Sequence, residues 1–180
     1  MNRFASSVLI LWAVLFFISS CGPKKTKEQL YAEALQYERE ENFKEAIKTY
    51  QIIVDEYPQA KFADSVLFNI GQIYSNNLTD FESSIEAHKS LIKKFPKSKI
   101  RAQSLFMIGY HYANNINDLE KAREYYQKFL ETYPDNELST SVQWELDHLG
   151  QDINEIEFLK NEPVEEVKQE STTSDIKNTN

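Results

Sequence analysis

Leu67-Phe68-Asn69-Ile70-Gly71-Gln72-Ile73-Tyr74 is restated, 38 residues later, as Leu105-Phe106-Met107-Ile108-Gly109-Tyr110-His111-Tyr112. In both octets the leucine, isoleucine, glycine and tyrosine stand at i, i+3, i+4 and i+7, the spacing that gathers side chains on one face of an α-helix. The same step separates Tyr57-Pro58, Phe95-Pro96 and Tyr133-Pro134. It also aligns Asn42, Asp80 and Asp118; Phe43, Phe81 and Leu119; Ala46, Ser84 and Ala122; Tyr50, His88 and Tyr126; and Ile53, Leu91 and Phe129. A fixed step of this size marks a chain of stacked units. Each unit reads as a hairpin of two amphipathic helices. Leu, Ile, Gly and Tyr form the first stripe; Phe43, Ala46, Ile47, Tyr50, Ile53 and Val54 form the second, which Pro58 ends. Four Gly and five Pro in 180 residues suit helices, so the expected class is all-α.

These residues resemble the tetratricopeptide repeat, whose pattern runs through a large apolar residue, Leu-Gly, Tyr, a small residue, an aromatic and Pro. Repeat one fits it through Leu30, Ala34, Tyr37, Ala46, Tyr50 and Pro58, and the two octets supply the first helices of repeats two and three. Gly71 and Gly109 let a paired helix approach with no Cβ between them. Two departures stand out. Glu33 occupies a position where repeat one should carry Leu, and the units are longer than the usual ~34 residues. One extra residue is placed in the hairpin turns, residues 76–80 and 114–118. The others fall between Pro and the next helix, in loops where insertion costs little. A fourth first helix follows, with Val142, Leu146 and Leu149 expected to be buried. Asp147 and Gly150 replace its Gly and Tyr, as suits a capping helix with no successor. Residues 153–159 form a short amphipathic segment expected to fold over its end.

The amino terminus reads as an address. Arg3 precedes residues 4–18, apolar apart from Ser6 and Ser7, as in a secretory signal. The unbroken core, residues 8–18, is well short of the ~20 residues a membrane-spanning helix needs. Ile18-Ser19-Ser20-Cys21-Gly22 then resembles the lipobox of bacterial lipoproteins. That resemblance implies a diacylglyceryl group on the Cys21 thiol and a further acyl chain, such as palmitate, on its new amino terminus. Two or more chains anchor stably where one binds only marginally. The lack of Asp after Cys21 implies the outer membrane. The residues alone also allow an ordinary signal cut near Ser20, leaving a free cysteine, or an uncleaved anchor. A lone cysteine excludes an internal disulfide and paired-thiol zinc or redox chemistry. Lys24, Lys25 and Lys27 either touch anionic head groups or are simply a solvated basic stretch. The expected organisation is a signal peptide at 1–20, a lipidated linker at 21–26 and a repeat domain at 27–160. That domain comprises repeats at about 27–60, 61–98 and 99–136 and a cap at 137–160. A tail at 161–180 is too poor in apolar residues to order.

A net charge of −8 argues against a nucleic-acid partner, which requires clustered Lys and Arg. His88, His111 and His148 lie on different units, and none is paired at the i, i+4 spacing of a helical metal site. His88 replaces a packing aromatic. No nucleophile elbow, phosphate loop or dinucleotide glycine pattern occurs. Glu40-Glu41 falls in a hairpin turn, where solvation explains it better than acid-base work. No enzyme activity, cofactor or metal is expected. Asn77-Leu78-Thr79 fits a glycosylation acceptor for which a bacterial lipoprotein has no obvious use.

Long units with aromatic-Pro ends behind a lipobox resemble envelope lipoproteins of the BamD type, which help assemble outer-membrane β-barrels, and of the Tol-Pal coordinator group, over residues 27–150. The resemblance implies a scaffold anchored by lipid in the outer membrane, facing the periplasm, with an envelope protein or peptide segment as partner. In the repeat family the first helices line a concave groove. Carried over, its positions are Tyr31, Phe68, Phe106 and Trp144, then Leu35, Gln72, Tyr110 and His148 four residues on, then Asn76 and Asn114. Aromatic shelves beside amides suit an extended peptide or a helix. Two readings of these residues stay open. The aromatics either bind a partner or pack between hairpins, with Tyr31 and Trp144 in the terminal units expected to be exposed. Asn76 and Asn114 either clamp a peptide backbone or close their helices in the left-handed conformation. The rival functions are a glycan-binding or enzyme-accessory lipoprotein, whose aromatics would stack on sugar rings, and a spacer whose acidic tail makes the contacts.

Overall fold

A computed structural model describes residues 24–151. The signal peptide, Cys21, the segment at 153–159 and the tail at 161–180 lie outside the described residues. The elements are α1 (Lys27–Arg39), α2 (Phe43–Glu56), α3 (Ala63–Asn76), α4 (Phe81–Lys94), α5 (Arg101–His111), a π-helical turn (Tyr112–Ile116), α6 (Leu119–Thr132) and α7 (Ser139–Asp147). There is no strand among the described residues. Each helix packs on the next in the chain, giving a tetratricopeptide-type stack of three hairpins and a further first helix.

Local chemistry sets the ends of the helices. The Thr26 hydroxyl accepts from the Gln29 amide while the Gln29 side chain accepts from the Thr26 amide, a reciprocal cap that starts α1. Asp80 and Asp118 cap α4 and α6 by accepting from the amides of Ser83 and Lys121. Asn42 occupies the same place before α2 without such a bond. At the far end, Tyr57, Phe95 and Tyr133 give their amides to Ile53, Leu91 and Phe129, and the following proline has no amide to continue the ladder.

The hairpin turns place the extra residue. The amide of each second-helix cap bonds to the carbonyl of the repeat tyrosine: Asn42 to Tyr37, Asp80 to Tyr74 and Asp118 to Tyr112, each at 2.8 Å. The turn of repeat one is one residue shorter than the other two. In repeat two the surplus is absorbed where Asn77 and Leu78 both donate to the Ile73 carbonyl; in repeat three it becomes the π-helical turn. A left-handed residue closes each turn: Glu41 (φ 56°), Thr79 (φ 55°) and Asn117 (φ 60°). The left-handed reading of Asn76 and Asn114 is therefore corrected. Asn76 is the last residue of α3 and Asn114 lies within the π-helical turn; the left-handed residue falls three positions later, immediately before the cap of the second helix.

The core is built from rings set against small residues. Tyr50, His88 and Tyr126 are fully buried. A Cβ on Gly71 would lie 2.8 Å from Nε2 of His88, and one on Gly109 would lie 2.6 Å from Cε1 of Tyr126. Ala34, also fully buried, fills the matching place in repeat one. In the cap, Val142 is buried, but Leu146 and Leu149 are only half-buried, contrary to expectation. Among the described residues α7 has a neighbour, α6, on one side only.

The fold also joins two histidines that the repeat register keeps in separate units. His88 of α4 and His111 of α5 are buried, with ring centroids 6.4 Å apart. Ser104 Oγ is 3.3 Å from His88 Nδ1, Ser84 Oγ is 3.2 Å from His111 Nε2, and Asn115 Oδ1 is 2.9 Å from His111 Nδ1. Burial, and then the neighbouring His111, hold His88 down to about 3; burial also lowers His111. Both are thus harder to protonate in the fold than in the unfolded chain. Their contribution is complete above the ordinary histidine value of ~6.5 and is lost as pH falls below it, at up to ~1.4 kcal/mol per pH unit for one proton. Urea unfolding is expected to shift to lower denaturant between about pH 7 and pH 5, and His88→Phe is expected to flatten that slope. An equal slope in the variant would remove His88 from the cause.

Candidate functional site

The groove positions lie on the first helix of each unit, and their surroundings divide them. The Tyr31 ring sits 5.8 Å from Tyr50 and 5.2 Å from Phe62, Phe68 meets His88 edge-on at 5.0 Å, and Phe106 stacks at 6.2 Å on Tyr126. In every repeat this ring leans on the buried ring of its own second helix and is half-buried. Tyr31 is therefore not the exposed terminal aromatic that its position suggested. Leu35 and Gln72 are also half-buried. Asn76 is exposed, but its amide donates to Gln72 Oε1 at 3.0 Å; the amide of Asn114 donates to the Tyr110 carbonyl at 3.1 Å.

Tyr110 and Trp144 differ from the other rings, remaining 38% and 39% exposed. His148 stacks on Trp144 with centroids 4.4 Å apart and donates from Nδ1 to the Trp144 carbonyl at 2.8 Å. These residues converge with Asn114 on a cavity of about 660 Å³ between the end of α5 and α7. Four of the ten groove positions, Tyr110, Asn114, Trp144 and His148, thus meet in one place; Tyr31, Leu35, Phe68, Gln72, Asn76 and Phe106 do not line it.

Sequence reasoning missed Leu119, Asn117 and Glu145 on the same cavity. Leu119 aligns with the packing residues Phe43 and Phe81, yet it is exposed here. Glu145 is half-buried, and burial pushes its carboxyl above the usual range, opposed by its interaction with the Tyr126 hydroxyl. That hydroxyl is itself buried with no partner in full hydrogen-bonding geometry. The available signal was positional: Glu145 adjoins Trp144 on a helix whose Gly and Tyr are lost. Apolar rings, a carboxylate and amides can grip a ligand segment. Among the described residues no group of three His, Cys, Asp or Glu could hold a metal ion, and no helix is long and apolar enough to cross a membrane.

The sequence profile of a family of outer membrane lipoproteins, YfiO, matches residues 23–159. The chain belongs to this family. The match starts two residues after Cys21 and spans all three hairpins and the cap. No curated protein matches the chain. Membership in the YfiO family agrees with the helical-repeat architecture, places the protein in the bacterial envelope and fits a scaffold there.

The packing separates structural rings from available ones. Phe68→Ala and Phe106→Ala are each expected to cost about 2 kcal/mol or more in urea unfolding, since each vacates a ring that covers the core. Trp144→Ala is expected to cost less than about 1 kcal/mol. Equal losses at all three would place Trp144 in the core as well.

Proposed function

We propose that this protein is a lipid-anchored adaptor that holds a segment of a partner protein in the cavity at the cap end of its stack. One observation carries the reading: Tyr110 and Trp144 stay exposed and converge with Glu145 and Asn114, whereas the rings equivalent to Trp144 in the earlier units, Tyr31, Phe68 and Phe106, lean on the core. Exposed aromatics beside a few polar groups are typical of the residues that dominate protein–protein binding. A cavity of about 660 Å³ takes one or two side chains of an extended or helical segment. Glu145, raised by burial, gains most from a donor on that segment, because a partner restores what burial withdrew from it.

The anchor belongs to the same reading. Cleavage before Cys21 and acylation of its sulfur and amino group would hold the repeat domain at the periplasmic face of the outer membrane, behind the short linker at 21–26. Tethering raises the effective concentration of any partner at that membrane. Assembly of outer-membrane proteins is the setting we infer; the family of outer membrane lipoproteins supports its membrane part.

Crosslinking and recovery from intact envelopes tests both parts. Tyr110→Ala with Trp144→Ala is expected to reduce partner recovery at least tenfold, a loss of about 1.4 kcal/mol or more, with helicity unchanged. Full recovery would refute the cavity, and recovery of a glycan without protein would transfer the site to sugar binding. Cys21→Ser is expected to move the chain out of the membrane fraction, and unchanged retention would remove the anchor.

A further inference from the structure

The stack has two edges. All first helices begin and all second helices end on one of them; the hairpin turns form the other, about 20 Å away by the rise of a 14-residue helix. The described chain starts on the first edge and is fixed there. Lys24 Nζ lies 3.0 Å from Glu56 Oε2 and 5.2 Å from the centre of the Tyr57 ring, and the Tyr57 hydroxyl donates to the Lys25 carbonyl at 2.7 Å. The arm leading back to Cys21 therefore departs beside the first inter-repeat loop.

Charge along this edge is segregated. The loops at 57–62 and 95–100 carry Lys61, Lys97 and Lys99 and no acid, whereas the loop at 133–138 carries Asp135 and Glu137 and no base. Acids flanking the basic loops are already engaged. Asp55 pairs with Lys94 at 3.0 Å, Glu56 pairs with Lys24, and Asp64 accepts from the Ser98 hydroxyl at 2.7 Å. Lys61, Lys97 and Lys99 are exposed and have no ion-pair partner among the described residues. Between the two basic loops lies an open cleft of about 650 Å³, with Lys61, Lys94 and Lys97 on its walls together with Asp55, which pairs with Lys94, and Asp64, which accepts from Ser98. The opposite edge mixes signs, with Glu40, Glu41, Asp80 and Asp118 beside Arg39, Lys44 and Lys121.

We propose that the inter-repeat loops of repeats one and two lie on the surface of an anionic phospholipid bilayer, with headgroup phosphates entering the cleft between them. The inference deepens the anchored reading above and takes only the tether from it. Charge complementarity fits the occupant: exposed lysines attract a negative surface, and on the anchored reading the bilayer is the negative surface nearest this edge. Position agrees, because the arm toward Cys21 leaves from this face. Each lysine near an anionic membrane strengthens partition roughly fivefold, and that gain fades within a Debye length and with salt. The acidic third loop is repelled, so the stack leans on its first two repeats and lifts the cap, with its aromatic cavity, away from the lipid.

Lysine acylation footprinting of the full lipidated protein in vesicles decides this. Lys61, Lys97 and Lys99 are expected to label several-fold more slowly in vesicles containing phosphatidylglycerol than in pure phosphatidylcholine, and to recover at about 0.5 M salt. Lys44 and Lys121, at the hairpin-turn edge, are expected to label alike throughout. Equal labelling of the three loop lysines in both vesicles would overturn the proposal and leave the patch to an acidic protein. Protection by inorganic phosphate without vesicles would overturn it in favour of a free-phosphate site. Flotation with phosphatidylcholine vesicles reads the tether separately: if that fails, the anchored reading fails, and footprinting with anionic vesicles still decides the edge.

Discussion

In each repeat a ring from the second helix occupies the space that a larger side chain on the first helix would need. His88 lies over Gly71, Tyr126 over Gly109 and, in repeat one, Tyr50 packs in the same core as Ala34. This close approach fixes the separation and rotation of the paired helices. A glycine inside a helix costs roughly 0.5–1 kcal/mol against alanine, so its presence here is offset by the burial of a large ring that no Cβ would permit. The rest of the stack depends on that contact. Tyr31, Phe68 and Phe106 lean on the same three buried rings, and so the face of the first helices inherits its shape from the core beneath it.

Much of this was legible in the sequence because helices of one repeat interact at fixed spacings. The stripes, the proline stops and even the site of the additional turn residue follow from which positions recur. What did not follow concerns contacts between units. The stacking of His88 on His111 depends on α4 meeting α5, which no spacing within either helix reveals. The burial of Tyr31 depends on Phe62, which belongs to the loop before the next unit. Leu146 and Leu149 carry the same stripe as their buried counterparts, yet they remain half-open because burial requires a neighbour that the stripe cannot supply. The left-handed residues were misplaced for a local reason: the reversal falls immediately before the cap of the second helix, at Thr79 and Asn117, later than an ordinary helix end would put it.

The repeats are alike in packing and unlike in what they offer outward. The first two place lysines beside the arm that leads to Cys21, while the third and the cap place acids, open rings and a half-buried carboxylate at the other end. A solenoid permits this division, since each unit touches only its neighbours and its surface can change without disturbing the core. On the proposed reading, such a layout would let one end meet lipid and the other meet protein.

A double-mutant cycle between Gly109 and Tyr126 probes the ring-on-glycine contact itself. Gly109→Ala alone should lose about 1–3 kcal/mol of unfolding free energy, because the added methyl meets a ring that has nowhere to move. In a Tyr126→Leu background the same change should cost little, giving a coupling of about 1 kcal/mol or more. Additive losses, or a gain of a few tenths of a kcal/mol from Gly109→Ala alone as helix preference would give, would contradict the close approach on which the stack is built.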